Sequence, residues 1–164
     1  MRRIYATFGG NTYDATIGKT VESGPQWGAD EVWVYDDVWL ARTEFRTHNA
    51  WLWDHPQTRG VGWFAWKPFV MMDALSRLED GDTVLFTDGD TYPIAPFGVL
   101  YEEALKEGVM LFAAEGCWNR RWCKRDCFIC MGQDEPRYHD TQHAVARFFV
   151  FQKGRWKPQQ FLIS

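Results

Sequence analysis

Long apolar runs are absent from this sequence. No stretch of its 164 residues approaches the roughly 20 apolar residues of a membrane-spanning helix. The opening MRRIYATFGG is not followed by the apolar run of about 7 to 15 residues that marks a signal peptide, so a soluble, unexported, cytoplasmic chain is expected. A basic excess is missing too: 18 lysines and arginines stand against 22 aspartates and glutamates, a net charge of −4. Nucleic-acid modules carry a basic face and a high pI, so a polyanion partner is disfavoured. Cysteine is absent everywhere except in CWNRRWCKRDCFIC, which holds Cys117, Cys123, Cys127 and Cys130. Only Cys127 and Cys130 make a Cys-x-x-Cys hook, whereas zinc sites usually pair two such hooks across a longer loop. Disulfides suit an oxidising compartment, to which nothing here directs the chain. Ordinary thiols are the leading reading of the cluster, with zinc and disulfides as alternatives. Internal repeats and linkers are lacking as well, and with 46% hydrophobic and 17% aromatic residues the chain can bury a core as one domain.

What is present alternates between two periods. RRIYATF reads as a first strand and GGNTYD as the turn after it. Tyr13, Ile17 and Val21 recur every four residues and line one face of a helix that SGPQWG ends. EVWVYD, residues 31 to 36, is a second strand, so the opening is the strand, crossover, strand unit of parallel sheets. Short helices are expected over residues 38–58. In WKPFVMMDALSRLEDGD a proline marks a helix start, Val70, Met71, Ala74, Leu75 and Leu78 share one face, and Gly81 follows as a stop. TVLFT is then an almost wholly apolar strand of the kind covered on both faces. APFGVLYEEALKEG repeats the helical pattern, VMLFAAE reads as another buried strand, and the cysteine segment, about 116–141, is an irregular insertion. AVARFFVFQKG restores a strand, and a helix starting at Pro158 stops with the chain, from which a fragment lacking its C-terminal part is expected. The alternation predicts one α/β domain with a mainly parallel, Rossmann-like central sheet flanked by helices.

The chemistry concentrates in VLFTDGDTYPI, residues 84 to 94. Ligands of open α/β sheets bind at the carboxyl ends of strands, and Asp88 and Asp90 follow directly on TVLFT. In an extended backbone, residues two apart point to the same side, and Gly89 between them permits a tight turn or a close approach. Two carboxylates roughly 4 Å apart at an effective dielectric of about 20 repel by about 4 kcal/mol. A divalent cation removes that cost, and magnesium characteristically combines one or two carboxylates with substrate phosphates and waters. The plainer alternative is a turn in which Asp88, Gly89 and Asp90 only cap the strand. Lys67, near the start of the preceding helix, is either a second cation for a phosphate or a solvated stalk.

The run GVGWFAWKPFVMMDALSRLEDGDTVLFTDGDTYPI resembles the donor-binding half of A-type (GT-A) glycosyltransferases, the nucleotide-diphospho-sugar transferases whose Asp-x-Asp follows a central strand. Gly60, Gly62, Trp63, Trp66, Lys67 and Pro68 nearly match the G-x-G-x-W-x-W-K-P segment that opens the helix before that strand. YATFGGNTYD resembles the first strand and turn that hold the base, and QHAVARFFVFQKG resembles a later N-A-G-F-F-V-F strand, with Arg147 in place of the usual glycine. The resemblance implies a sugar transfer from a nucleoside diphosphate sugar to an unknown acceptor: glycan, protein or small molecule. Asp88 and Asp90 would hold Mn²⁺ or Mg²⁺ and carry the catalysis. Thr7, Phe8 and Gly9 would line the base and ribose, while Trp66, Lys67 and Gly89 complete the donor site. Such enzymes commonly draw a further ligand, often histidine, from a C-terminal segment that this sequence does not show.

Glu115, Asp134, Glu135, Asp140 and His143 are the candidates for a general base. Trp118 and Trp122 are candidate sugar platforms against a packing role, and Arg120, Arg121, Lys124 and Arg125 are either an anion grip or a solvated loop. His48, His55 and His139 show no metal-ligand spacing. A dehalogenase-type phosphatase is disfavoured because Tyr92, not threonine, stands two residues past Asp90. A non-catalytic nucleotide-sugar or protein-binding module of the same fold is the remaining alternative.

Overall fold

The computed structural model describes residues 1–9, 13–54 and 60–155. Part of the first turn, His55, and the helix expected from Pro158 lie outside the described residues. Among the described residues, five strands form one sheet: β1 (Arg3–Phe8), β2 (Glu31–Tyr35), β3 (Thr83–Asp88), β4 (Val109–Trp118) and β5 (Gln142–Gln152), in the spatial order β2-β1-β3-β5-β4. Helices α1 (Asp14–Trp27), α2 (Asp37–Ala41), α3 (Glu44–His48), α4 (Trp51–Asp54), α5 (Gly60–Trp63) and α6 (Lys67–Arg77) precede β3. Helix α7 (Gly98–Glu107) joins β3 to β4, and α8 (Asn119–Trp122), α9 (Arg125–Cys130) and α10 (Pro136–His139) lie between β4 and β5. No helix of the described residues is long and apolar enough to cross a membrane.

The α/β class is as expected, but the sheet is mixed rather than mainly parallel. Strands β2, β1 and β3 pair in parallel, whereas β5 is antiparallel to both β3 and β4. The alternation of strand and helix correctly gives β4 the direction of β3. The returning β5 then enters the gap between them, and no local period could announce that. As the outer strand, β4 has no fully buried residue, so the expected buried strand is an edge. A further difference lies in α1, which runs through Pro25 to Trp27 instead of ending at SGPQWG. Of its predicted apolar face, Tyr13 at 42% and Val21 at 48% are exposed and Ile17 is half-buried, while its fully buried residues are Thr20 and Gly24. A Cβ on Gly24 would stand 2.6 Å from Val32: the helix sits too close to β2 for a larger face.

Two apolar layers flank the sheet. On one side Val70, Met71, Ala74 and Leu75 of α6 meet Ile4, Ala6, Phe8, Val84 and Phe86, with Phe149 and Phe151 beyond, as their shared helical face predicts. On the other, Tyr101 and Ala104 of α7 meet Tyr5, Leu85 and Val150. The buried tyrosines in this layer keep their hydroxyls paired, Tyr101 donating to Ile4 O at 2.9 Å and Tyr5 bonding Thr87 Oγ1 at 2.8 Å. Burial pushes the Tyr5 hydroxyl up to about 12, with the Thr87 hydrogen bond opposing the shift.

The other end of the β1–β3 ladder is clasped by Asp82, 3% exposed. Its carboxylate accepts the backbone N–H of Arg2 at 2.6 Å and of Glu79 at 3.1 Å, and the Arg2 Nε at 2.9 Å. Burial alone would raise this carboxyl, yet those donors and the guanidinium charge together hold it below its ordinary value. A depressed folded value means that the stabilisation is present above the unfolded pKa and is lost as pH falls through the folded one. Asp82→Asn is expected to lower stability by about 1–3 kcal/mol at neutral pH. It should also shrink the further loss seen on acidification to roughly pH 3, with urea unfolding at both pH values as the measurement.

Candidate functional site

From β1 the chain crosses through α1 to β2 on one side and reaches β3 on the other. This reversal of direction falls at the carboxyl ends of β1 and β3, the crevice position where open α/β sheets bind ligands. Phe8 and Asp88 form the last rung of the parallel ladder there. The chain then turns, with the Thr91 N–H donating to Asp88 O at 3.0 Å. Asp88 therefore ends the strand and Asp90 sits on the turn that follows, so the extended backbone does not continue through both acids. The turn is forced by contact: a Cβ on Gly89 would lie 2.5 Å from Phe8 O and 3.0 Å from Gly9 Cα, so only glycine lets the two strand ends close together.

Each acid has a cation beside it. Lys67 Nζ lies 2.6 Å from Asp88 Oδ1, the two side chains being 13% and 21% exposed. That oxygen is buried and accepts no hydrogen bond of good angle, so the contact is charge against charge. Lys67 donates its hydrogen bond instead to Ala146 O at 3.2 Å. The next residue, Arg147, places Nη2 3.6 Å from Asp90 Oδ2, and Asp90 Oδ1 accepts from the Thr91 hydroxyl at 3.1 Å. Two carboxylates and two cations thus balance locally. The repulsion that argued for a metal ion is already offset by Lys67 and Arg147.

The structure brings together Asp88, Gly89, Asp90, Lys67, Phe8 and Gly9, with Arg147 as a member that the sequence reading placed only as a departure from the family pattern. Its place follows from the antiparallel pairing of β5, in which Phe148 faces Thr87 and Arg147 is one step further. Phe8 and Trp66, 4% and 3% exposed, stack at 3.8 Å; both are core side chains that shape the crevice from beneath. Thr7 is fully buried, and its hydroxyl finds no partner among the described residues. Such an orphaned group is uncommon in folded proteins. Gly9 N–H donates to Tyr35 O at 3.0 Å.

The candidate bases are held elsewhere. Asp134 pairs with Arg125 and His139, Glu135 with Arg137, and Asp140 with Arg120. His143 Nδ1 lies 3.1 Å from Asn119 Oδ1 and 3.7 Å from Cys123 Sγ, and Glu115 is exposed on β4. The insertion, read as irregular, carries three short helices knitted by these pairs. Its arginines Arg120 and Arg125 are engaged there rather than open to an anion, while Trp118 and Trp122 stand 37% and 65% exposed. All four cysteines are free thiols. Burial, with the nearby Cys127 adding to it, pushes the Cys123 thiol up. Among the described residues no three His, Cys, Asp or Glu side chains gather as a metal site.

Comparison with protein-family models, curated proteins and solved structures gives no match. The chemistry is therefore argued from the crevice. Asp88 and Asp90 offer oxygen donors, with Asp88 Oδ1 buried and not hydrogen-bonded. Carboxylate oxygens are the donor type that hard divalent ions take, and here Asp88 Oδ1 is held by Lys67 Nζ instead.

The closeness of the strand ends is directly testable. Gly89→Ala is expected to destabilise the fold by about 1–3 kcal/mol, the cost of overpacking a tight contact, whereas Gly81→Ala, with open space around its Cβ, bears only backbone strain. Thermal unfolding of the two variants compares them.

Proposed function

We propose that this chain binds a nucleoside diphosphate sugar together with Mn²⁺ or Mg²⁺ and transfers the sugar to an acceptor hydroxyl. The observation that supports the reading is the position of Asp88 and Asp90 on a turn at the carboxyl ends of β3 and β1, where the chain reverses direction across the sheet. Asp88 and Asp90 would hold the ion, which when bound supplies a Lewis acid for the departing diphosphate. Lys67 and Arg147 are the groups that bind and orient the phosphates once the acids turn from them. The backbone at Gly9 would flank the crevice on the nucleoside side, while Thr7 is fully buried and would shape it only indirectly. In the transfer the acceptor oxygen bonds the anomeric carbon as the bond from that carbon to the diphosphate breaks. The electron pair stays on the diphosphate, and the acceptor proton passes to water.

A second reading is a binding module that holds the same donor without turnover. Its support is that Asp134, Glu135 and Asp140, three of the candidate bases, are committed to ion pairs within the insertion.

Calorimetric titration of Mn²⁺ with UDP, GDP and their sugars is expected to show metal-dependent binding that Asp88→Ala or Asp90→Ala removes. Unchanged nucleotide binding in the double variant would end the metal assignment. Binding without release of free nucleoside diphosphate over hours selects the module.

Arg147 gives a graded check on the same site. Its pair with Asp90 is more than two-fifths exposed on both sides, and exposed pairs contribute about 0.2–1 kcal/mol. Arg147→Gly is therefore expected to tighten Mn²⁺ alone by no more than about fivefold, while weakening the diphosphate in the presence of the ion.

A further inference from the structure

Beside the paired acids lies a cavity of about 350 Å³, at the small end of the range for ligand pockets. Pro68 and Met71 of α6 form one wall, and Leu111 of β4 with Phe149 and Phe151 of β5 form another. The register explains its origin. Phe149 pairs with both Phe86 and Leu111, and Phe151 with both Val84 and Val109, so these side chains continue the α6 face of the sheet outward. Helix α6 packs on the part of that face formed by β1 and β3, and Leu111 at the far side stays 40% exposed. The uncovered strip of sheet is the cavity floor.

Two observations separate this cavity from a mere packing gap. Phe64, on its wall, is 45% exposed and has a left-handed backbone with φ 61°, next to Trp63 at φ 60°. Consecutive non-glycine residues in that region are uncommon, and such strain clusters at ligand clamps and active sites. The second is the polar corner. Lys67 and Ala146 also line the cavity, and Lys67 is the residue that bridges Asp88 and Ala146 O. Lys67 therefore stands between the cavity and Asp88.

The charge at that corner selects the occupant. Lys67 is neutralised by Asp88 at 2.6 Å, and under the transferase reading by the diphosphate once donor and ion are bound, so a further carboxylate or phosphate entering the cavity finds no free cation there. A neutral hydroxyl needs none, since it can accept from an ammonium and donate to a carboxylate. We propose that the cavity takes the apolar body of a neutral aryl or alkyl alcohol, with the hydroxyl at the Lys67 corner. Resting on the transferase reading above, this alcohol is the sugar acceptor. Phe64 closes over the ligand and supplies an aromatic face.

The test uses 4-propylphenol as the neutral probe and 4-propylbenzoate as its anionic counterpart, titrated into the whole chain with ligand-observed NMR and calorimetry. Saturable one-to-one binding of the phenol is expected, with the benzoate at least fivefold weaker. Ala146→Phe and Leu111→Trp, both at exposed strand positions, fill the cavity and should each weaken the phenol at least tenfold. A variant that fails to keep the parent's circular dichroism is replaced by the other. Equal binding to parent and filled variants, a preference for the benzoate, or no phenol binding overturns the assignment. Titrating Mn²⁺ with UDP on the same protein separates the two ideas. Nucleotide binding without phenol binding removes the cavity proposal alone. Phenol binding without nucleotide binding upholds the ligand class and overturns the acceptor role.

Discussion

The parallel junction of β1 and β3 carries the rest of the architecture, because both ends of its ladder are fixed by different means. At the start of the two strands Asp82 gathers the Arg2 backbone and guanidinium, setting the register with charge-assisted hydrogen bonds. At the other end Gly89 sets it by lacking a side chain, letting Phe8 and Asp88 finish level. A slip of one residue would place the Phe8 carbonyl against a side chain and turn each buried face of β3 to the wrong layer. Everything at the crevice inherits this precision: the turn at Asp88, the approach of Lys67 from α6, and the stacking of Trp66 on Phe8 that fixes where α6 begins.

Helix α6 was legible because its buried residues Val70, Met71, Ala74 and Leu75 repeat at the helical spacing and a proline stands at its start. Strand β3 was legible because both of its faces are covered, which requires an unbroken apolar run. The helix α1 was misread at its face and its end for one reason. Contact through Thr20 and Gly24 leaves little hydrophobic signal, and a periodicity argument sees only apolar side chains. The antiparallel insertion of β5 was invisible because strand direction is decided by the path of the chain after the cysteine segment. Arg147 was invisible as a site residue for the same reason: its proximity to Asp90 follows from that insertion and from no local pattern.

The insertion between β4 and β5 illustrates how a charged loop can be structural. Arg120, Arg125 and Arg137 each meet a carboxylate of the same segment, and Asn119 donates to Tyr138 O and Thr141 Oγ1. Individually such exposed pairs contribute little. Together they give a segment with one buried apolar side chain on its helices, Phe128, enough mutual constraint to bring the chain back into the sheet at Gln142.

The balance of charge at the acids has a consequence for how any ion would bind. The usual case for a metal site is two carboxylates in need of a cation, but here Lys67 and Arg147 already serve that need. A doubly charged ion arriving alone would release two side-chain cations beside itself and leave the crevice with surplus positive charge. An ion arriving with a diphosphate does not, because Lys67 and Arg147 then turn from the carboxylates to the phosphate oxygens. Under the proposed reading, ion and diphosphate therefore enter as coupled ligands, each raising the affinity for the other by the same factor. On that reading the lysine and the arginine would make the site indifferent to the ion alone.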